Sequence, residues 1–184
     1  MKHTLNVLTL TALAAAASAQ TAPAAGLNYN QVGISRTSRQ NAVTAQGVLG
    51  GSSLLIGIQS TSDEGLNDSS PSITLGYIFR GVTQGIDATV FVQQPQWESS
   101  VYGVTLRRAL NEVYAGLEIS ASYAGTLASN SDSYIAIGGS SFWANSATNF
   151  ELAYNVNKTF SVAVGLTKGN YDARQTVFSV RAGF

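Results

Sequence analysis

Cysteine is absent from the chain and histidine occurs once, at position 3. The first absence excludes a disulfide framework, a thiolate zinc site and a lipid-modified N-terminal cysteine. The second removes most hydrolytic machinery, because imidazole is the side chain that takes a proton near neutral pH beside a serine, a cysteine or a metal-bound water. Charge is scarce as well. Only 11% of the 184 residues are Asp, Glu, Lys or Arg, against roughly a quarter in ordinary soluble domains. Ten basic residues balance ten acidic ones, so no basic surface is offered to nucleic acid and none is expected as a partner. Long apolar runs are also missing. Beyond the first 20 residues the longest are pieces such as Leu54-Leu55-Ile56, far short of the roughly 18 to 20 residues that a membrane-spanning helix needs. A chain poor in charge and without such a helix can meet lipid in one other way, as a closed barrel of strands.

The first 19 residues have the composition of an export signal. Lys2 and His3 give a short positive start, residues 5–17 are apolar with Leu8, Leu10 and Leu13, and Ala17-Ser18-Ala19 is a small-x-small cleavage site before Gln20. Residues 1–19 are therefore read as a cleaved signal peptide and residues 20–184 as one domain, exported from the cytoplasm and about neutral to slightly acidic.

Within residues 20–184 the dominant pattern has period two, the repeat of a strand with one apolar face. Ile73, Leu75, Tyr77 and Phe79 share a face; so do Ile86, Ala88, Val90 and Val92, and Tyr102, Val104 and Leu106. Further rows are Val113 to Tyr123 at alternate positions, Phe150, Leu152, Tyr154 and Val156, then Phe160, Val162, Val164 and Leu166, and finally Phe178, Val180, Ala182 and Phe184. Residues 27–36, 42–49 and 54–60 are earlier candidates, and residues 134–143 form a weaker one. The opposite faces carry Thr74, Gly76, Asp87, Thr89, Thr105, Arg107, Glu112, Glu118, Glu151, Ser161, Gly165 and Arg181. A soluble sandwich would put more Lys and Glu on its wet face. Small polar residues with sparse charges of both signs suit a narrow lumen instead.

The connections alternate in length. Residues 50–52, 81–85, 109–111 and 155–158 read as short turns, and residues 36–41, 60–71, 94–100, 125–133 and 168–174 as longer polar segments. Short periplasmic turns against longer outer loops match a bacterial outer-membrane barrel. Eleven runs are visible, whereas a barrel with both ends on one side needs an even number. Ten follows if residues 134–149 extend a strand or form an outer loop, twelve if they hide a further strand, and eight if an early run is irregular. Ten is the favoured count.

The chain closes on Thr176-Val177-Phe178-Ser179-Val180-Arg181-Ala182-Gly183-Phe184. A final alternating strand ending in Phe resembles the assembly signal of Gram-negative outer-membrane β-barrels, carried here by Phe178, Val180 and Phe184 and departing at Ala182, where that family often has Tyr. The chain resembles small barrels of the OmpA and OmpX membrane-domain type. The resemblance implies an all-β, closed antiparallel up-and-down transmembrane barrel in the outer membrane. It also implies the barrel assembly machinery, outer-membrane lipid and lipopolysaccharide as partners. Tyr77, Phe79, Tyr154, Phe160 and Phe184 would then form a periplasmic aromatic girdle, and Tyr102, Tyr123 and Phe178 an outer one.

Several barrels of this size class are enzymes, but those rely on histidine, and here the only one lies in the leader. No catalytic residue, cofactor or metal is therefore expected. Glu118 and Glu151 point inward as an acid–base pair would, yet inward carboxylates pairing with Arg107 and Arg181 are the simpler reading, because buried charges must be paired. The run Asp63-Glu64-Gly65-Leu66-Asn67-Asp68 has oxygen ligands of the kind calcium takes but lacks EF-hand spacing, and reads as a solvated outer loop. Arg36 and Arg39 have the chemistry to meet lipopolysaccharide phosphates. Two functions remain. A lumen plugged by Arg107, Glu118, Glu151 and Arg181 favours a non-enzymatic structural or surface-interaction protein that displays its loops. Inward Gly76, Ser161, Ala163 and Gly165 favour a small porin-like channel. The charges weight the first.

Overall fold

The computed structural model describes residues 27–63, 69–96, 98–127 and 132–184; the expected signal peptide and the acidic run at 64–68 lie outside them. Ten strands form a closed antiparallel barrel: β1 (Gln31–Arg36), β2 (Gln40–Val48), β3 (Leu54–Asp63), β4 (Ser69–Thr83), β5 (Ile86–Pro95), β6 (Val101–Ala109), β7 (Leu117–Thr126), β10 (Ser146–Asn155), β11 (Phe160–Gly169) and β12 (Gln175–Gly183). Each pairs with its neighbour in sequence, except that β7 pairs directly with β10 and β1 closes on β12, from Gln31↔Gly183 to Arg36↔Phe178. Two further strands, β8 (Ser133–Ile137) and β9 (Ser140–Ala144), make a separate hairpin outside the wall. The ambiguous stretch 134–149 thus divides between this hairpin and the first residues of β10, and the wall count is ten.

Alternation sets the two sides of the wall. Ile34, Ile73, Leu75, Phe150, Val164, Phe178 and Val180 are all 40–64% exposed, on the outside of the barrel. In water such a belt would be an unburied core; around a closed barrel it is the surface that lipid covers. Ser35, Thr61, Thr89, Gln93, Glu118, Glu151, Thr167 and Ser179 are buried, on the inside. Tyr77 and Phe79 lie on the outer face near the chain ends, with ring centroids 4.9 Å apart.

Two connections differ from the sequence reading. Residues 37–39 form a tight link between β1 and β2, because Thr37 Oγ1 accepts the N–H groups of Arg39 and Gln40 at 3.1 and 2.9 Å. Residues 110–116 form a longer turn than residues 109–111. The Leu110 carbonyl accepts from Val113 and Tyr114, and Gly116 adopts φ +84. Strand β7 consequently begins at Leu117. Val113 and Ala115 leave its apolar row, and Glu112 pairs with Arg108 at 2.6 Å on the surface rather than in the lumen.

The exposed row identifies its own solvent. Val164→Arg should reduce the free energy of folding into liposomes by about 2 to 4 kcal/mol, whereas Val164→Ala should lose much less. Equal urea midpoints for the two variants would mean that the outer face is wet.

Candidate functional site: the lumen

The lumen is filled from both ends. From the outer end the hairpin β8–β9 turns inward. Its tip, Gly138-Gly139, has φ of +57 and +78, the two-residue turn that keeps strand twist and admits glycine best. A side chain at Gly138 would run into the Asn149 amide, and one at Gly139 into Ser35. Ile135, Ile137, Phe142 and Ala144 pack on Val101, Ala124 and Ala147 of the wall, with Phe91 beside them. Gly103 leaves the space that the Phe91 ring occupies. The other face of the hairpin carries Tyr134 and Trp143, directly paired, with rings at 4.9 Å and half exposed.

A two-stranded hairpin has two unpaired edges, and inside the barrel those buried backbone groups need partners. Wall glutamines supply them. Gln93 Nε2 donates to the Ala136 carbonyl at 2.9 Å while its Oε1 accepts the Ala136 N–H at 2.9 Å. Gln40 does the same for Ser141, at 2.9 and 3.0 Å. Gln59 Nε2 donates to the Ser140 carbonyl at 3.0 Å, and Ser35 Oγ to that of Gly139 at 3.0 Å. A primary amide offers one donor and one acceptor side by side, as a neighbouring strand would.

From the chain-terminal end the segment before β1 enters the barrel. Tyr29 is buried against Leu55 and Ile78. Its hydroxyl donates to Asp87 at 3.0 Å, and Arg107 and Arg80 lie 4.7 and 5.4 Å from its ring centre, within cation–π range. Burial raises the Tyr29 hydroxyl well above an ordinary phenol, Arg107 opposing and the bond to Asp87 adding to the rise, so it stays a donor.

Arg107, Glu118, Glu151 and Arg181 form two ion pairs. Arg107 meets Glu118 at 2.8 Å, and Glu118 also accepts from Asn155 Nδ2 at 2.7 Å. Arg107 Nη1 donates to the Asn28 carbonyl at 3.0 Å, holding the N-terminal segment. Arg181 pairs with Glu151. The two carboxylates thus face separate guanidiniums. Gln31, Arg107 and Arg181 line both of the spaces that remain, and so form a layer between them. On the hairpin side is a cavity of about 190 Å³, lined by Gln59, Thr89, Gln93, Ser122, Asn149 and the Gly138-Gly139 tip among others. On the terminal side is one of about 520 Å³, lined by Asn28, Glu118, Asn155 and Lys158 among others. No triad or metal cluster of His, Cys, Asp and Glu occurs among the described residues.

Sequence reasoning placed Arg107, Glu118, Glu151 and Arg181 inward but missed Gln40, Gln59, Gln93, Tyr29 and the hairpin itself. One signal was present: two short runs separated by Gly-Gly, the spacing of a tight hairpin.

A closed ten-strand antiparallel barrel with an apolar outside and a polar lumen is the fold of porin-like outer-membrane proteins. No protein-family model matches the chain, and no curated protein matches it. Among solved structures it is similar to the KdgM porin, at TM-score 0.50 and 7% identity over 84% of this chain and 98% of that one. The KdgM porin in complex with disordered oligogalacturonate gives 0.49 and 7%, with the same coverage. The outer membrane protein Omp33 of Acinetobacter baumannii gives 0.41 and 12% over 79% of this chain and 71% of that one. At 7% identity the likeness to the KdgM porin is one of fold.

The amides and the ion pairs are separable in their effects. Gln93→Leu should speed amide exchange in residues 133–144 at least tenfold while leaving the wall protected, because Ala136 would keep two unsatisfied backbone groups, at about 1 to 3 kcal/mol each. Unchanged exchange would mean that packing alone holds the hairpin. Arg107→Leu should lower folding stability by about 3 kcal/mol, and Arg107→Leu with Glu118→Leu by less, because the single change strands a buried carboxylate. Urea unfolding of the two would contradict this if the double variant were the weaker.

Proposed function

We propose that this chain is a non-enzymatic outer-membrane barrel whose lumen is a small-solute channel, shut at rest by its own hairpin. The observation that carries the reading is the stacking of two cavities, of about 190 and 520 Å³, beneath a hairpin that belongs to no part of the wall. Removing the hairpin breaks no wall pairing, so the barrel has a route to opening that leaves it closed against lipid. Hydroxyl and amide side chains recur in the lining, and four of its charges form two ion pairs, which favours modest polar solutes over strongly charged ones. The fold likeness to the KdgM porin agrees with a channel.

The second reading, a permanently plugged barrel that displays its loops, is favoured by the buried apolar cluster of Ile135, Phe142, Val101 and Ala147. In either case residues 1–19 would direct export, and Phe178, Val180 and Phe184 would carry the signal read during assembly.

Single-channel recording in a planar bilayer separates the two. The full-length mature protein should show rare, discrete openings, and replacing residues 132–145 with a short polar link should make the open state predominant. A full-length protein that never opens, beside a deletion variant that conducts, would establish the plugged reading in place of the channel.

A further inference from the structure

We propose that the outer rim of β11, β12 and β1 is a docking surface for a phosphorylated lipid of the outer leaflet. The inference rests on reading the chain as an outer-membrane barrel with the end opposite its termini facing out. Arg36 ends β1, Arg39 lies in the link to β2, Lys168 is the penultimate residue of β11, and Arg174 immediately precedes β12. All four are exposed. Lys168 alternates with exposed Leu166, and Arg36 with exposed Ile34, so both belong to the lipid-facing side. Arg36 stands opposite Phe178 of β12. The β11–β12 register ends at Thr167↔Gln175; continued by one pair, it sets Lys168 against Arg174. On the outward faces of three adjacent strands, Arg36 thus follows Ile34, Lys168 follows Leu166, and Arg174 lies two such positions beyond Phe178, so the cations flank the outer border of the apolar belt.

The rest of the charge distribution makes this arc distinct. Arg80, Arg108 and Lys158 lie at the terminal end, and Arg107 and Arg181 lie in the lumen. Among the described residues every cation of the outer end thus belongs to this arc. Of the acids at that end, Asp63 ends β3 opposite Gln40, beside Arg39, whereas Glu98 and Asp132 belong to the connections after β5 and β7. Asp172 sits in the β11–β12 link but is half-buried, its carboxylate beside Gly169, which lies on the lumen face with Thr167.

Position selects the ligand. A soluble anion would be drawn into the mouth, but these groups flank the apolar belt and face sideways. Guanidinium forks match phosphate oxygens, and the acyl chains of the same molecule would lie along Ile34, Leu166, Phe178 and Val180. A phosphate carried on a lipid satisfies both halves of the surface at once.

The test uses the full mature protein folded in detergent, with folding checked by heat-modifiable gel mobility. Bisphosphorylated lipid A is titrated in mixed micelles and the bound lipid counted by native mass spectrometry. The protein should retain lipid A, and the combined variant R36Q, R39Q, K168Q and R174Q should retain it about tenfold less or weaker still, each cation adding to headgroup attraction. Dephosphorylated lipid A should bind weakly to both. Millimolar inorganic phosphate should not displace the lipid. Equal retention by a folded variant overturns the proposal, as does displacement by inorganic phosphate, which would mark a site for a soluble anion. A loss confined to R108Q and K158Q would overturn it by reversing which end faces out. Failure of the native chain to fold in detergent or insert in liposomes would instead strike the barrel reading itself.

Discussion

Everything in this molecule depends on the pairing of β1 with β12. A strand edge facing hydrocarbon leaves its N–H and C=O groups without partners, at several kcal/mol each, and the Gln31↔Gly183 to Arg36↔Phe178 register removes the two edges that an open sheet of ten strands would leave. Once the wall is closed, the composition follows. The outer face needs nothing but apolar bulk, the inner face must fit within a narrow bore, and charge has few places to go. The low charge content therefore records geometry: polar positions are turned inward, where Ser, Thr, Gln and Gly fit and unpaired ions do not.

The same constraint returns inside the barrel on a smaller scale. The hairpin β8–β9 has two edges of its own, and no strand is near enough to pair with them. The wall answers with side chains. Gln93 and Gln40 each present an amide to both the donor and the acceptor of one hairpin residue, and Gln59 and Ser35 take two further carbonyls. At the other end Asn28, Tyr29, Arg107, Glu118 and Asp87 form a comparable set, in which each buried polar group meets another. The barrel interior is thus a polar core in which side chains perform the work that backbone performs in the wall.

The wall was legible in the sequence because one physical requirement, lipid outside and polar bore inside, acts on every strand with period two. Rows such as Phe160 to Leu166 announce their orientation at once, and the inward positions of Arg107, Glu118, Glu151 and Arg181 follow from the same count. The lumen was less legible because nothing periodic governs it. Residues 133–144 are buried on much of both faces, so their alternation is weak. Phe91 stands on a polar face between Thr89 and Gln93, and only the hairpin that it packs against explains it. A glutamine that pairs a backbone edge looks like any lumen-lining glutamine until the edge is placed beside it. Glu112 was assigned inward by extending the β7 pattern one turn too far, into residues whose backbone bonds at once to Leu110.

The two levels of pairing differ in what their loss entails, and this bears on function. Breaking a wall ladder exposes backbone to lipid, where no other partner exists. Releasing the hairpin exposes amides and backbone to a lumen that water can enter, and water is an adequate replacement for each hydrogen bond lost. What water does not replace is the contact of Ile135, Ile137 and Phe142 with Val101, Ala124 and Ala147. The hold of the wall on the hairpin is therefore set chiefly by that apolar patch, while the glutamines fix its register. In the proposed channel such a barrel would keep its wall against lipid with the lumen shut or open, and the balance between the two would lie with a few side chains on one face of a short hairpin.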